Sequence, residues 1–208
     1  RLQPDVGIAR ALRLLGDSHD PDDPYFARFR RQVLAEHGVT RIEDLPVNYK
    51  GLLAVEGERL TSGLFNDYAQ RSADIQARQN TLVNRFSVLT PVLALRQLSM
   101  AAAATDLQAH LRFMDQAEQH RYRIVQQLNQ MQADAVSYAD DTAKDAGADQ
   151  RKRVDSANWQ EIPAFTFQPA SASALLRSLL PGMSMLLGWL MAGALALAWT
   201  TRRMGVAR

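Results

Sequence analysis

The sequence predicts an all-α fold: an extracytoplasmic helical domain built on a long antiparallel helix hairpin, followed by one C-terminal transmembrane helix. Three observations predict it. Apolar residues recur at spacings of three, four and seven through residues 64–89, and apolar residues line one face through 107–138, the pattern of amphipathic helices. Asp23-Pro24 and Thr90-Pro91 each place an N-cap side chain before a proline at the first helical position. No charged residue occurs from Ser178 to Thr201.

The elements follow in order. Val6 to Leu15 is amphipathic and ends at Gly16, before the Pro- and Asp-rich loop DSHDPDDP. Asp23-Pro24 opens a helix to about Glu36, stopped by His37-Gly38, with Tyr25, Phe26, Phe29, Val33 and Leu34 on its apolar face. Thr40 and Glu43 make a capping-box pattern for one short turn, closed by Leu45-Pro46. After Gly51 a helix is expected to run to about Leu89, with Leu64, Tyr68, Ile75, Leu82, Phe86 and Leu89 as its seam against a partner helix. Thr90-Pro91 starts VLALRQLSMAAAA, apolar but for Arg96 and Gln97. Two readings stand for it: the buried core of a hairpin, or a helix at the membrane surface with Arg96 snorkelling. Thr105 and Gln108 form a second capping box for a helix to about Tyr138. Leu107, Leu111, Met114, Ile124, Val125, Leu128, Met131 and Tyr138 line its apolar face. The two long helices form the hairpin. Residues 140–157 are charged and aperiodic, hence a loop, and Trp159, Ile162, Pro163, Phe165 and Phe167 form an extended approach to the membrane.

The uncharged stretch of residues 178–201 is long enough to cross a bilayer. As a helix it spans roughly 36 Å, against about 30 Å of hydrocarbon. Pro181 and Gly182 are placed in its first turn, where the proline's absent N–H costs nothing. A buried core helix of a soluble domain is the other reading, and it lacks the polar face such a helix shows. Arg202, Arg203 and Arg208 follow the stretch and only Arg177 precedes it. The positive-inside rule then puts residues 202–208 in the cytoplasm and residues 1–177 outside. The chain opens RLQPDVGIARALRLL, with neither a Met nor an apolar leader. It is therefore expected to be the C-terminal piece of a longer protein with at least one earlier membrane helix. A tail-anchored protein with a cytoplasmic domain is the alternative, and it runs against the arginine asymmetry.

Composition removes several functions. The chain has 208 residues, 24 Lys+Arg, 22 Asp+Glu, four His and no Cys. Without cysteine there is no disulfide framework, thiolate metal site or Cys nucleophile. The isoelectric point near 9.2 suggests nucleic acid at first sight. Three of the basic residues are in the tail, however, leaving 21 basic against 22 acidic in residues 1–177, so no nucleic-acid partner is expected. None of the three lysines, Lys50, Lys144 and Lys152, ends a glycine-rich loop, and GxSxG, HExxH and GxGxxG are absent. No catalytic residue, cofactor or enzymatic activity is expected within the chain.

The strongest metal-like pattern is Asp106 with His110, spaced i, i+4, with Met114 one turn further. Two ligands begin a site but four are normally needed, so the favoured reading is a hydrogen-bonded pair and no metal. His120, beside Arg121, reads as a solvated or interhelical residue. His19 and the carboxylates of DSHDPDD read as loop solvation, since the segment lacks the Gly and terminal Glu of a calcium loop. Met100, Met114 and Met131 suggest a copper route only weakly, because Met at helical spacing fills cores.

Five segments carry a resemblance. LPVNYKG (residues 45–51), RFSVLTPVLALRQLSM (85–100), TDLQAHLRFMDQAEQHR (105–121) and WQEIPAFTFQP (159–169) occur in that order before the terminal helix ending in Arg202-Arg203. Together they resemble the C-terminal domain of unknown function in a family of type-2 ABC transporter permeases, over nearly the whole chain. Residues 140–157 match no pattern of that family. The resemblance implies a bacterial inner-membrane permease with about six membrane helices, a cytoplasmic ABC ATPase partner, a second permease copy or paralogue, and surrounding membrane lipid. It carries over no site residues. The expected function is that of a permease subunit moving an undefined substrate. The alternative, from a different class, is a membrane-anchored helical sensor or adaptor that binds a periplasmic ligand or protein. An extracytoplasmic enzyme is the third reading, and no nucleophile or acid–base pair supports it.

Overall fold

The computed structural model describes residues 16–18, 20, 22–86, 90–138, 141 and 160–206. The expected helix over residues 6–15, His19, Trp159, residues 87–89 and nearly all of the charged 140–157 loop lie outside the described residues. The described residues form an all-α structure: α1 (Pro24–Glu36), a 3-10 turn (Ile42–Asp44), α2 (Tyr49–Phe86), α3 (Pro91–Ala102), α4 (Leu107–Ala135) and α5 (Ala172–Val206). The chain divides into two compact units, one of Arg1–Ala69 with Glu118–Phe165 and the other of Gln70–Ala117 with Thr166–Arg208.

In the first unit α1 begins as its sequence requires. The Asp23 carboxylate accepts from the amides of Tyr25 and Phe26, Pro24 takes the first helical position, and His37 caps the C-terminus. Phe26 and Val33 are buried, and the core gathers Val33, Leu45 and Tyr49 with Phe29, Leu52 and Tyr138. Thr40 caps nothing. The 3-10 turn is flanked by Arg41 without a side-chain cap, and the Glu43 carboxylate accepts from the Arg41 guanidinium at 3.2 Å.

The hairpin is antiparallel within this unit. The amide of Asn48 donates to the carbonyl of Ala133 (2.7 Å), Gln126 Nε2 donates to the carbonyl of Val55 (3.1 Å), and Arg121 reaches Glu58 (2.8 Å) and Ser62 (3.0 Å). α2 starts at Tyr49 rather than after Gly51. Gly51 is buried in its first turn, and an added Cβ would fall 2.4 Å from the backbone nitrogen of Ala133. It is the point where the two backbones touch.

In the second unit the expected seam opens out. Ile75, Leu82 and Phe86 are exposed, as is Met114 on α4; the period defines a helix face without supplying a partner for it. α3 has its Thr90 cap as expected. It is neither a core helix nor solvated all round: it lies along α5, with Ala94 fully buried and Gly182 closing on Leu98 and the Ala94 carbonyl.

α5 extends past both ends of the uncharged stretch. Its first turn is capped by Ser171, whose hydroxyl accepts from the amide of Ala174, so Arg177 is already helical. Pro181 therefore lies inside the helix and not in its first turn; the capping serine sets the start, not the loss of charge. Arg202 and Arg203 are also helical. Arg203 lies over the Trp199 ring at 4.1 Å, a cation–π pairing suited to an interface. α5 is the one helix among the described residues long and apolar enough to cross a membrane, and its apolar window is almost wholly exposed.

Candidate functional site

Two of the residues singled out by sequence, Asp106 and His110, line a groove in the second unit, where α3 turns into α4. Ala103 ends α3, and Ala104 follows in the left-handed region at φ 52°. The Thr105 amide donates back to the Met100 carbonyl at 2.9 Å, closing the helix end in a Schellman arrangement. Asp106 then caps α4, its Oδ1 accepting from the amide of Ala109 at 2.8 Å. The capping residue is Asp106, not Thr105, since a carboxylate one residue nearer the helix is the stronger acceptor for an N-terminal amide. The Thr105 hydroxyl points back to Met100.

The opposite wall is the extended segment after Ile162. Gln116 holds it like a strand partner, donating to the Gln168 carbonyl (2.9 Å) and accepting from its amide (2.8 Å). Phe113 packs on Phe167 with centroids 5.8 Å apart. Between these walls lies a groove of about 390 Å³, whose lining includes Asp106, His110, Arg112, Phe113, Phe167 and Pro169. Its aromatic side, imidazole and guanidinium suit a ligand with an apolar body and an anionic end.

Asp106 and His110 thus share one groove. The Asp106 carboxylate faces a backbone amide, and no cluster of three or more metal-ligating side chains exists among the described residues. Met114 is exposed and outside the lining, while Met100 and Met131 are half-buried. In the first unit His120 packs on Phe165, with centroids 5.3 Å apart. The Asp-rich loop spends its carboxylates on its own backbone: Asp23 also accepts from the Asp17 amide (3.0 Å), and Asp20 from Asp22 (3.0 Å). The Asp17 amide, then those of Phe26 and Tyr25, hold the Asp23 carboxyl below the usual carboxylate range.

Two polar clusters of the first unit were not legible beforehand. Tyr25 donates its hydroxyl to Glu56, and Arg59 donates to Glu56 (2.6 Å) and to the Tyr25 oxygen (3.1 Å). The Arg59 hydrogen bond lowers the Glu56 carboxyl, and the Glu56 hydrogen bond raises the Tyr25 hydroxyl. Arg121 joins Glu118 on its own helix (2.7 Å) to Glu58 and Ser62 on α2. Each carboxylate here is matched by a guanidinium, which fastens helices together. What the sequence does not show is which helices these charges join, since Tyr25 and Glu58 lie 31 and 63 residues from their partners.

Residues 3–168 match a family model described as Domain of unknown function (DUF3526). The chain belongs to the DUF3526 family. The DUF3526 match takes in the hairpin, the Gln116–Gln168 clamp and most of the groove, and it ends four residues before α5 begins. No curated protein and no solved structure matches the chain.

Proposed function

We propose that this chain is the C-terminal part of an ABC transporter permease subunit that moves a substrate across the bacterial inner membrane. A cytoplasmic ABC ATPase hydrolyses ATP to drive it, and a second permease copy or paralogue completes the pathway. The observation that carries the reading is α5, an exposed apolar helix of 35 residues joined directly to an all-α domain. Its surface needs lipid or other membrane helices around it. Arg202, Arg203 and Arg208 on one flank, against Arg177 on the other, favour a cytoplasmic C-terminus with the DUF3526 domain on the periplasmic side. There the hairpin serves as a gate or docking surface over the pathway, and the ordered sequence motifs support the same assignment.

Purification of the full-length protein from its native membrane tests this. The expected result is a stoichiometric P-loop ATPase whose hydrolysis rises in the complex; a protein that purifies from membranes without one overturns the transporter reading. The groove at Asp106, His110 and Arg112 favours a second reading, a membrane-anchored sensor or adaptor that binds a periplasmic ligand. Absence of the ATPase, together with saturable binding of a small amphipathic anion that R112A abolishes, selects it.

A further inference from the structure

We propose that the groove between α4 and the extended segment holds a phospholipid from the leaflet at the N-terminal end of α5. Its phosphodiester sits on Arg112, and the first methylenes of its acyl chains lie on Phe113 and Phe167. This deepens the ligand-binding reading of the groove, and it rests on α5 being a membrane helix, not on the presence of an ATPase.

Three observations choose this occupant. The first is position, fixed twice within the second unit. Ala170 lines the groove and stands just before α5, which begins at Ala172. Ala104 lines it from the end of α3, and α3 packs on α5 where Gly182 meets Leu98 and the Ala94 carbonyl. The groove therefore lies at the N-terminal end of α5. From Ala172 to Arg202 that helix rises about 45 Å, against about 40–45 Å for a bilayer with its headgroups. With Arg202 among the headgroups of one leaflet, the start of α5 and the groove beside it reach those of the other. The second is the chemistry of the walls. Phe113 and Phe167 are 45% and 39% exposed even though they pack on each other, so the apolar wall still meets solvent. Arg112 makes no ion pair among the described residues, whereas Arg41, Arg59 and Arg121 each meet a carboxylate. An accessible aromatic wall and an unspent guanidinium in one groove fit an amphiphile with an anionic head. The third is charge and size. Asp106 adds one negative charge to the same lining, with one oxygen already engaged by the Ala109 amide. A phosphodiester carries a single negative charge, while a phosphate monoester carries about −1.5 to −2 and is repelled more strongly by that carboxylate. The groove's volume of about 390 Å³ is at the small end for ligand sites; it suits a headgroup and the first methylenes, the chains staying in the bilayer.

Photocrosslinking of the full-length protein in dodecyl maltoside micelles tests this. The probe is a phosphatidylglycerol with a diazirine near the carbonyl end of one acyl chain, and crosslinked peptides are mapped by mass spectrometry. Crosslinks are expected on α5 and, saturably, on residues 104–113 and 166–170. R112Q is expected to lower the groove crosslinks several-fold while those on α5 stay unchanged. F167A, in the facing wall, should act in the same way, so unfolding of one variant leaves the other to decide. Unlabelled dihexanoyl-phosphatidylglycerol should displace the groove fraction, and inorganic phosphate or glycerol 3-phosphate at equal concentration should not. Labelling of α5 with a bare groove overturns the lipid site and leaves the membrane helix standing. No labelling of either overturns the membrane reading and the lipid site with it. Groove labelling that both variants leave unchanged means that lipid is merely adjacent, and overturns recognition by these walls. Displacement by inorganic phosphate or glycerol 3-phosphate makes a free phosphate compound the ligand, and overturns lipid as the occupant.

Discussion

At the residue scale, Gly51 is the most constrained position in the first unit. A methyl group there would lie 2.4 Å from the Ala133 nitrogen and 2.5 Å from its Cα, and backbone cannot yield as a flexible side chain does. G51A is expected to destabilise the protein by about 3 kcal/mol, at the upper end of overpacking, read as a lowered urea midpoint with unchanged slope. Ala104 offers the opposite case. At φ 52° its Cβ costs about 1–2 kcal/mol that glycine does not incur, partly offset by glycine's freer unfolded chain. A104G is therefore expected to raise stability by about 0.5–1 kcal/mol, and any loss would mean that Ala104 makes a contact worth more than its strain. The Tyr25–Glu56–Arg59 cluster contributes to both pH limbs. The Glu56 carboxyl is depressed when folded, so its contribution is present above the unfolded carboxylate value and is lost as pH falls through the folded one. The Tyr25 hydroxyl is raised when folded, so its contribution is present below its ordinary value near 10 and is lost as pH rises beyond it. E56Q should flatten both limbs of stability against pH, since Glu56 is also what raises Tyr25, whereas Y25F should flatten chiefly the alkaline limb, Arg59 still holding Glu56 down; an alkaline limb unchanged in E56Q would show that the cluster does not titrate as drawn.

At the element scale, most helices were legible because their signals are local. Asp23-Pro24 and Thr90-Pro91 opened α1 and α3 as expected, since an N-cap needs only its own next few amides. Two of the failures share one cause, a choice between neighbouring groups. At α4 both Thr105 and Asp106 fit a cap, and the carboxylate takes it. At α5 the charge is lost at Ser178, whereas Ser171 marks where the helix begins, which places Pro181 inside it. Gly51 looked like a helix boundary because its reason, Ala133, is distant in sequence. The groove was half legible: Asp106 and His110 were found, but Phe167 and Gln116 acquire meaning only once the extended segment folds against α4. Packing of α3 on α5 is open to direct test at Gly182, where an added Cβ would meet Leu98 at 3.3 Å. G182L is expected to cost about 2 kcal/mol and to remove hydrogen-exchange protection from α3 while leaving α1 protected. Persistent protection of α3 would mean that something other than α5 holds it.

At the scale of the whole molecule, the basic isoelectric point and the apolar helix are one signal. With the tail arginines set aside the remainder is close to neutral, so on the proposed topology the excess positive charge belongs to the flank of α5. Replacing Arg202 and Arg203 by glutamine leaves one arginine on each side of the uncharged stretch of residues 178–201, Arg177 and Arg208, and so removes the bias that positive residues impose. R203Q also breaks the stacking on Trp199, so W199L separates loss of an aromatic anchor from loss of charge. A single cysteine in place of Arg123 reports the side occupied by the domain, through labelling of intact cells by a membrane-impermeant maleimide. Full labelling is expected for the otherwise unaltered protein and for W199L, and partial labelling for R202Q/R203Q as the population becomes mixed. Full labelling of all three would mean that the tail does not set the orientation, the task falling to segments outside this chain. No labelling in the otherwise unaltered protein, with labelling restored on opening the cells, would put the domain in the cytoplasm and reverse the topology on which the transporter reading is built.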